Sequence, residues 1–210
     1  MMWRLVLEGG EVRRVEEPAV VVPRGHVGIK VKAFLIDDFS LWALRRGRGP
    51  FSRWALGVVV SGGEVGRYVV AYVDNAAAQY AASNRFVYVD GGDPSRLEVA
   101  PLAYVVEALG RVPRLRRVEV VGGDPRRAAV ERLAEVGPSR WRIALQGASV
   151  GSGVAVAVSR LVEVVGNAVV RFVDVPSRWA LRRAAGLGIR LGIPVVKDVS
   201  FGGWGIVVVD

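Results

Sequence analysis

Apolar and polar positions alternate along the first ninety residues, and then the period changes. The alternation predicts strands over 3–7 and 12–15, with Gly9-Gly10 turning one into the other. It continues over 27–33, in compact β-branched runs at 58–60 and 68–73 split by Ser61-Gly62-Gly63, and over 77–82 and 86–89. Gly91-Gly92-Asp93-Pro94 closes this β-rich half with strong turn chemistry. One helix is expected inside it, over 39–44, with Asp37 and Asp38 supplying negative charge at its N-terminus. Farther on, helices are expected over 98–109, 125–136, 154–165 and 178–185, the second with Asp124 as N-cap and Pro125 in its first turn. Strands are expected between them, over 118–121, 142–146 and 169–173, with two more at 195–196 and 206–209. Strands that alternate with helices imply parallel βαβ units. The fold class is therefore α/β, with a barrel-like β-rich domain over 1–100 and an α/β domain over 101–210.

The glycine-rich segment Gly147-Ala148-Ser149-Val150-Gly151-Ser152-Gly153 leaves an expected strand and enters an expected helix. A dinucleotide fingerprint needs that context: a tight turn, bare backbone against the pyrophosphate, and close helix–strand packing. Gly147, Ser149, Gly151 and Gly153 are the candidate phosphate contacts. Asp174 stands 21 residues after Gly153, at the end of the next strand, where an acidic side chain bonds an adenosine ribose. Arg178 lies close by and suits a 2′-phosphate, so NAD and NADP both remain open. A competing strand-to-helix turn is Gly122-Gly123-Asp124-Pro125-Arg126-Arg127, which reads better as a capped helix start.

Composition narrows the chemistry. The chain contains no cysteine and a single histidine, His26, which excludes disulfides, thiolate ligands, a cysteine nucleophile and any multi-histidine metal site. Ser149 has no second histidine to activate it as a nucleophile. No apolar stretch approaches the ~20 residues of a membrane helix, and the N-terminus lacks a leader's apolar core, so a soluble, cytoplasmic protein is expected. The net charge of +9 can attract nucleic acid, but the arginines form no sustained run and read first as solvated faces of an Arg-rich, thermophile-like chain.

The order of these signals resembles the medium-chain dehydrogenase/reductase superfamily, in its zinc-less quinone-oxidoreductase branch. The residues from Trp3 to Gly10 look like the family's opening hairpin, and Gly25-His26-Val27-Gly28-Ile29-Lys30-Val31-Lys32-Ala33 like its signature strand. Gly57-Val58-Val59-Val60 and Gly66-Arg67-Tyr68-Val69-Val70 resemble central barrel strands. Ala78-Gln79-Tyr80-Ala81 is similar to the motif before the domain junction, Ala100-Pro101-Leu102 to the linking helix, and Gly147 to Gly153 to the glycine turn. The resemblance implies a GroES-like β-barrel followed by a shortened Rossmann-type domain, with NAD or NADP as cofactor.

The departures from the family pattern are equally informative. Asp37 stands where zinc-dependent members carry a catalytic cysteine, and Trp54-Ala55-Leu56 where a Gly-His-Glu zinc motif belongs; no zinc is expected. Arg67 replaces the aspartate beside the barrel glycine. The residues from Gly205 to Asp210 resemble the strand that closes the first half of the nucleotide domain. If residues 118–121 are instead the first strand of that domain, the glycine fingerprint is lost. The expectation is a degenerate homologue with weak or no oxidoreductase activity. The alternatives are a basic, non-catalytic protein that binds nucleic acid, and a structural subunit that forms a homo-oligomer through the edge of its C-terminal strand.

Overall fold

The computed structural model describes residues 1–113, 117–197, 199 and 203–209, in two compact units, Met1–Ala100 with Ile193–Asp210 and Pro101–Gly192. In the first unit β1 (Met2–Glu8) and β2 (Glu11–Glu17) form an antiparallel hairpin. Its turn residues, Gly9 and Gly10, both have positive φ (59° and 86°), which matches the twist of the flanking strands. β3 (Val27–Ile36) leads into α1 (Asp38–Arg46), and β4 (Arg48–Pro50) then pairs with β1. An antiparallel run follows: β5 (Trp54–Ser61), β6 (Tyr68–Tyr72), β7 (Tyr80–Ser83) and β8 (Arg85–Val89).

β3 organises this unit. One of its edges is lined by β5, and the other is taken over residues 27–30 by β7. The inward residues of these strands, among them Ile29, Phe34, Ala55 and Val69, form one buried apolar cluster with Phe51. α1 follows the expected cap. Asp37 accepts the Ser40 amide at 3.0 Å, Ser40 Oγ closes the reciprocal contact, and Gly47 ends the helix at φ 65°. Because Asp37 is buried, Asp37→Ala should leave the Ser40 amide unsatisfied and cost about 1–2 kcal/mol in a denaturation experiment. Asp37→Asn should recover most of that loss.

A 3-10 turn at Pro94–Glu98 leads to α2 (Val99–Gly110), within which the two units divide. The second unit continues with β9 (Glu119–Val121), α3 (Arg127–Leu133), β10 (Trp141–Ala144), β11 (Ser149–Val150), β12 (Gly153–Ala157), β13 (Glu163–Val164), β14 (Ala168–Phe172) and α4 (Arg178–Leu187). β9, β10, β12 and β14 form a parallel sheet in chain order.

The helix expected over 154–165 does not form. Those residues supply β12 and β13, so α3 is the single helical crossover between described strands of this sheet. Trp141 lies beside Val154, and Val154 beside Val169, while Ser149 lies beside Glu163. The chain thus re-enters register every 13 to 15 residues, as a stacked parallel coil rather than a βαβ unit. Its interior is thin and filled by small side chains, Ala144, Ala148, Val150, Ala155 and Ala157. Alternating valines favour this extended path, because a β-branched side chain loses rotamer freedom in a helix.

The end of the chain returns to the first unit through β15 (Val195–Val196) and β16 (Gly205–Val208). β16 pairs antiparallel with β3, Ile206 opposite Leu35, over the half of that edge which β7 leaves open, and β15 pairs with its other side. The Glu98 carboxylate accepts the Ile193 amide at 2.9 Å and fastens this return. Contact clustering thus groups Ile193–Asp210 with Met1–Ala100, and β16 is bonded on both sides, to β3 and to β15. The partner of β16 lies some 170 positions upstream, beyond the reach of local pattern.

Candidate functional site

The predicted dinucleotide residues do not converge. Gly147 follows the C-terminal end of β10, whereas Gly153 begins β12 at the opposite end of the same parallel sheet. Asp174 lies beyond the C-terminal end of β14, so along the strands it is more than about 13 Å from the level of Gly153. Between the outer glycines there is no strand-to-helix corner. The Gly147 amide donates to the Leu161 carbonyl at 2.7 Å, and Ala148 and Val150 use their carbonyls to bind Glu163 and Val165. Ser149 and Gly151 are exposed. The Asp174 carboxylate accepts Arg160 at 3.0 Å, and Arg178 opens α4 on an exposed face.

The strand-to-helix corner of this unit is instead Gly122 to Arg127, between β9 and α3. Gly122 has φ 80°, and a Cβ there would stand 2.7 Å from the Gln146 carbonyl, so only glycine fits. The Gly123 amide donates to that carbonyl at 3.0 Å. The Asp124 side chain then fills the corner. Oδ1 accepts the Arg126 amide at 2.9 Å and Arg126 Nε at 3.0 Å; Oδ2 accepts Arg126 Nη2 at 2.6 Å and the Gln146 amide at 3.0 Å. Arg126 Nη1 reaches across to the Val158 carbonyl at 2.5 Å. Both side chains are about 1% exposed.

Burial alone would raise the Asp124 pKa. The adjacent Arg126 charge and the hydrogen bonds from Arg126 and Gln146 outweigh it and hold the carboxyl below its usual range. The ion pair thus lies across the C-terminal ends of β9, β10 and β12, the edge where open α/β sheets bind ligands. The Asp124 carboxylate occupies the kind of position a phosphate would take, and the backbone donors around it are engaged. The sequence pattern places Asp124 at the cap of a helix over 125–136. The helix begins at Arg127 without a side-chain cap, because the carboxylate turns to Arg126. An acid two residues before an arginine carries no signal that would have revealed this.

In the first unit the residues at the expected zinc positions are engaged in packing and capping. Asp37 is committed to capping α1, Trp54 is buried edge-on against Tyr72 with ring centroids 5.3 Å apart, and Ala55 and Leu56 are fully buried. Among the described residues no three His, Cys, Asp or Glu side chains gather to hold a metal. A cavity of about 600 Å³ in this unit is lined by Arg4, Glu17, His26 and Tyr80, with Arg4 and Glu17 paired at 2.5 Å. No helix of the described residues is long and apolar enough to cross a membrane.

No protein-family model and no curated protein matches the sequence. The fold, α/β overall, is nevertheless shared along the whole chain with solved structures of medium-chain dehydrogenase/reductases. D-arabinose dehydrogenase from Sulfolobus solfataricus aligns with TM-score 0.71 and 12% identity, over 99% of both chains. Acetophenone reductase from Geotrichum candidum, solved in complex with NAD, gives 0.70 and 9% over 99% of this chain and 97% of its own. A cobalt- and zinc-bound thermostable alcohol dehydrogenase from Pyrobaculum aerophilum gives 0.66 and 14% over 99% of both. At such identities what is shared is the fold, and function must be argued from the residues.

Proposed function

We propose that the chain is a degenerate relative of the medium-chain dehydrogenase/reductases, free of zinc and with weak or no oxidoreductase activity. The observation that carries this reading is the buried Asp124–Arg126 pair, which closes the strand-to-helix corner from within. The engaged Asp37 and the buried Trp54-Ala55-Leu56 segment support the same conclusion for the metal. One of the similar structures holds NAD; against NAD or NADP binding here stand the spread of Gly147 and Gly153 to opposite ends of the sheet and the pairing of Asp174 with Arg160.

Calorimetric titration with NADH and NADPH tests the proposal. Neither should bind more tightly than about 1 mM, and replacing Gly151 with arginine should change nothing, since that turn has no phosphate to lose. Saturable micromolar binding of either nucleotide, abolished by Gly151→Arg, would refute it.

A further inference from the structure

The charge of this protein is segregated. Residues 101–192 carry fifteen arginines, no lysine and seven carboxylates, an excess of eight out of the chain's net nine. Six of those carboxylates pair with arginines outside α4. α4 itself contains Arg178, Arg182 and Arg183 and no acidic residue. Arg182 and Arg183 are exposed and form no ion pair with any described residue. Like charges four apart, as at 178 and 182, destabilise an isolated helix by a few tenths of a kcal/mol.

The same face carries Trp179, 60% exposed. At about 100° per residue, positions 178, 182, 186, 179 and 183 follow one another around an arc of about 140°. Position 186 is Gly186, open above its Cα, so the arc offers an aromatic ring flanked by cations with free space beside it. α4 is held from its other side. Ala180, Leu181 and Ala184 are buried, and the N-cap Ser177 donates its hydroxyl to Glu107 at 2.7 Å. A second exposed aromatic, Phe172, stands nearby in the chain path: its carbonyl accepts Arg111, the residue after Gly110, and a Cβ on Gly110 would meet the Trp179 ring at 4.0 Å.

We infer that this α4 face binds single-stranded nucleic acid, with Arg182 and Arg183 on phosphates and an unpaired base stacked on Trp179. Basic residues interleaved with an exposed ring match that chemistry: the phosphates need cations, and stacking is indifferent to sequence. A duplex hides its ring faces and would leave Trp179 unused. A second copy would set arginine against arginine. A membrane would need the apolar side of α4, which is already buried in the unit.

The full chain titrated into a fluorescein-labelled oligouridylate, followed by anisotropy at several salt concentrations, tests the inference. Affinity should fall with salt with a logarithmic slope near −1.4, as for about two neutralised phosphates. Trp179→Ala should weaken binding about ten-fold without changing the slope, and Trp179→Phe should restore most of it. The double variant R182Q/R183Q should flatten the slope by about 1.4, and Arg13→Gln, exposed in the first unit, should do nothing. Binding unaffected by Trp179→Ala, equal affinity for a duplex or for phosphatidylserine vesicles, self-association through α4, or no binding at low salt would each overturn it. The nucleotide titrations above do not bear on this outcome, so the two proposals fail separately.

Discussion

Asp124→Ala is expected to destabilise the second unit by about 3–5 kcal/mol in urea denaturation, because it strands the Arg126 guanidinium in a site 1% exposed. The variant also leaves the Gln146 amide without its acceptor and lets the β9–α3 corner open. Arg126→Met should be destabilising for the converse reason, since it leaves a buried carboxylate held by backbone amides alone. Replacing both, as Asp124→Leu with Arg126→Met, should cost much less than either single change, because no uncompensated charge remains. The pH dependence has a definite sign. The folded Asp124 carboxyl titrates below its unfolded value, so its contribution is present above about pH 4 and is lost as pH falls through the folded pKa. The gap between wild type and Asp124→Ala should therefore be flat from about pH 5 to 8 and shrink in acid. A gap that persisted unchanged at pH 2 would remove the ion pair from the explanation.

Trp54→Ala should be as damaging to the first unit, at about 3–5 kcal/mol, since the indole is 1% exposed and its removal leaves a cavity between β5 and β6. For a chain of this size that corresponds to a fall in Tm of roughly 6–20 °C. Trp54→Phe should recover part of it by keeping the edge-on contact with Tyr72. The position also bears on the metal. Writing a Gly-His-Glu motif back over residues 54–56 would place an imidazole and a carboxylate at two fully buried sites of the barrel. The expected result is an unfolded protein, measured by loss of cooperative melting, rather than a zinc-loaded one.

Much of the first unit could be read from the chain. The alternation over 27–33 and 68–73, the Gly9-Gly10 turn and the Asp37 cap each act between residues close in sequence, and each recurs in β3, β6, the first hairpin and α1. The segment from Gly153 to Val165 was misread because Val-Ala-Val-Ala-Val satisfies both helical and extended periods. What decided between them was the stacking of β12 on β10 and β14, which is a contact between distant residues. For the same reason the strand-to-helix context expected around Gly147, Ser149, Gly151 and Gly153 gives way to β11 and β12. The closure of the corner by Asp124 and Arg126 depends on the Gln146 amide and the Val158 carbonyl, 22 and 32 positions away, and no pattern in the turn announces either. Trp179 carries no local pattern that marks it as a surface residue. Its exposure separates it from Trp54 and Trp204, which are buried.

The return of β16 to β3 fixes an order of events during synthesis. The first unit lacks β16 until that segment has been made, while every described strand of the second unit is already present. At about 5–20 residues per second, the roughly one hundred intervening positions delay completion by some 5–20 s. Throughout that interval half of one β3 edge stands open on the nascent chain, and a chaperone or a neighbouring polypeptide has its best opportunity to pair there.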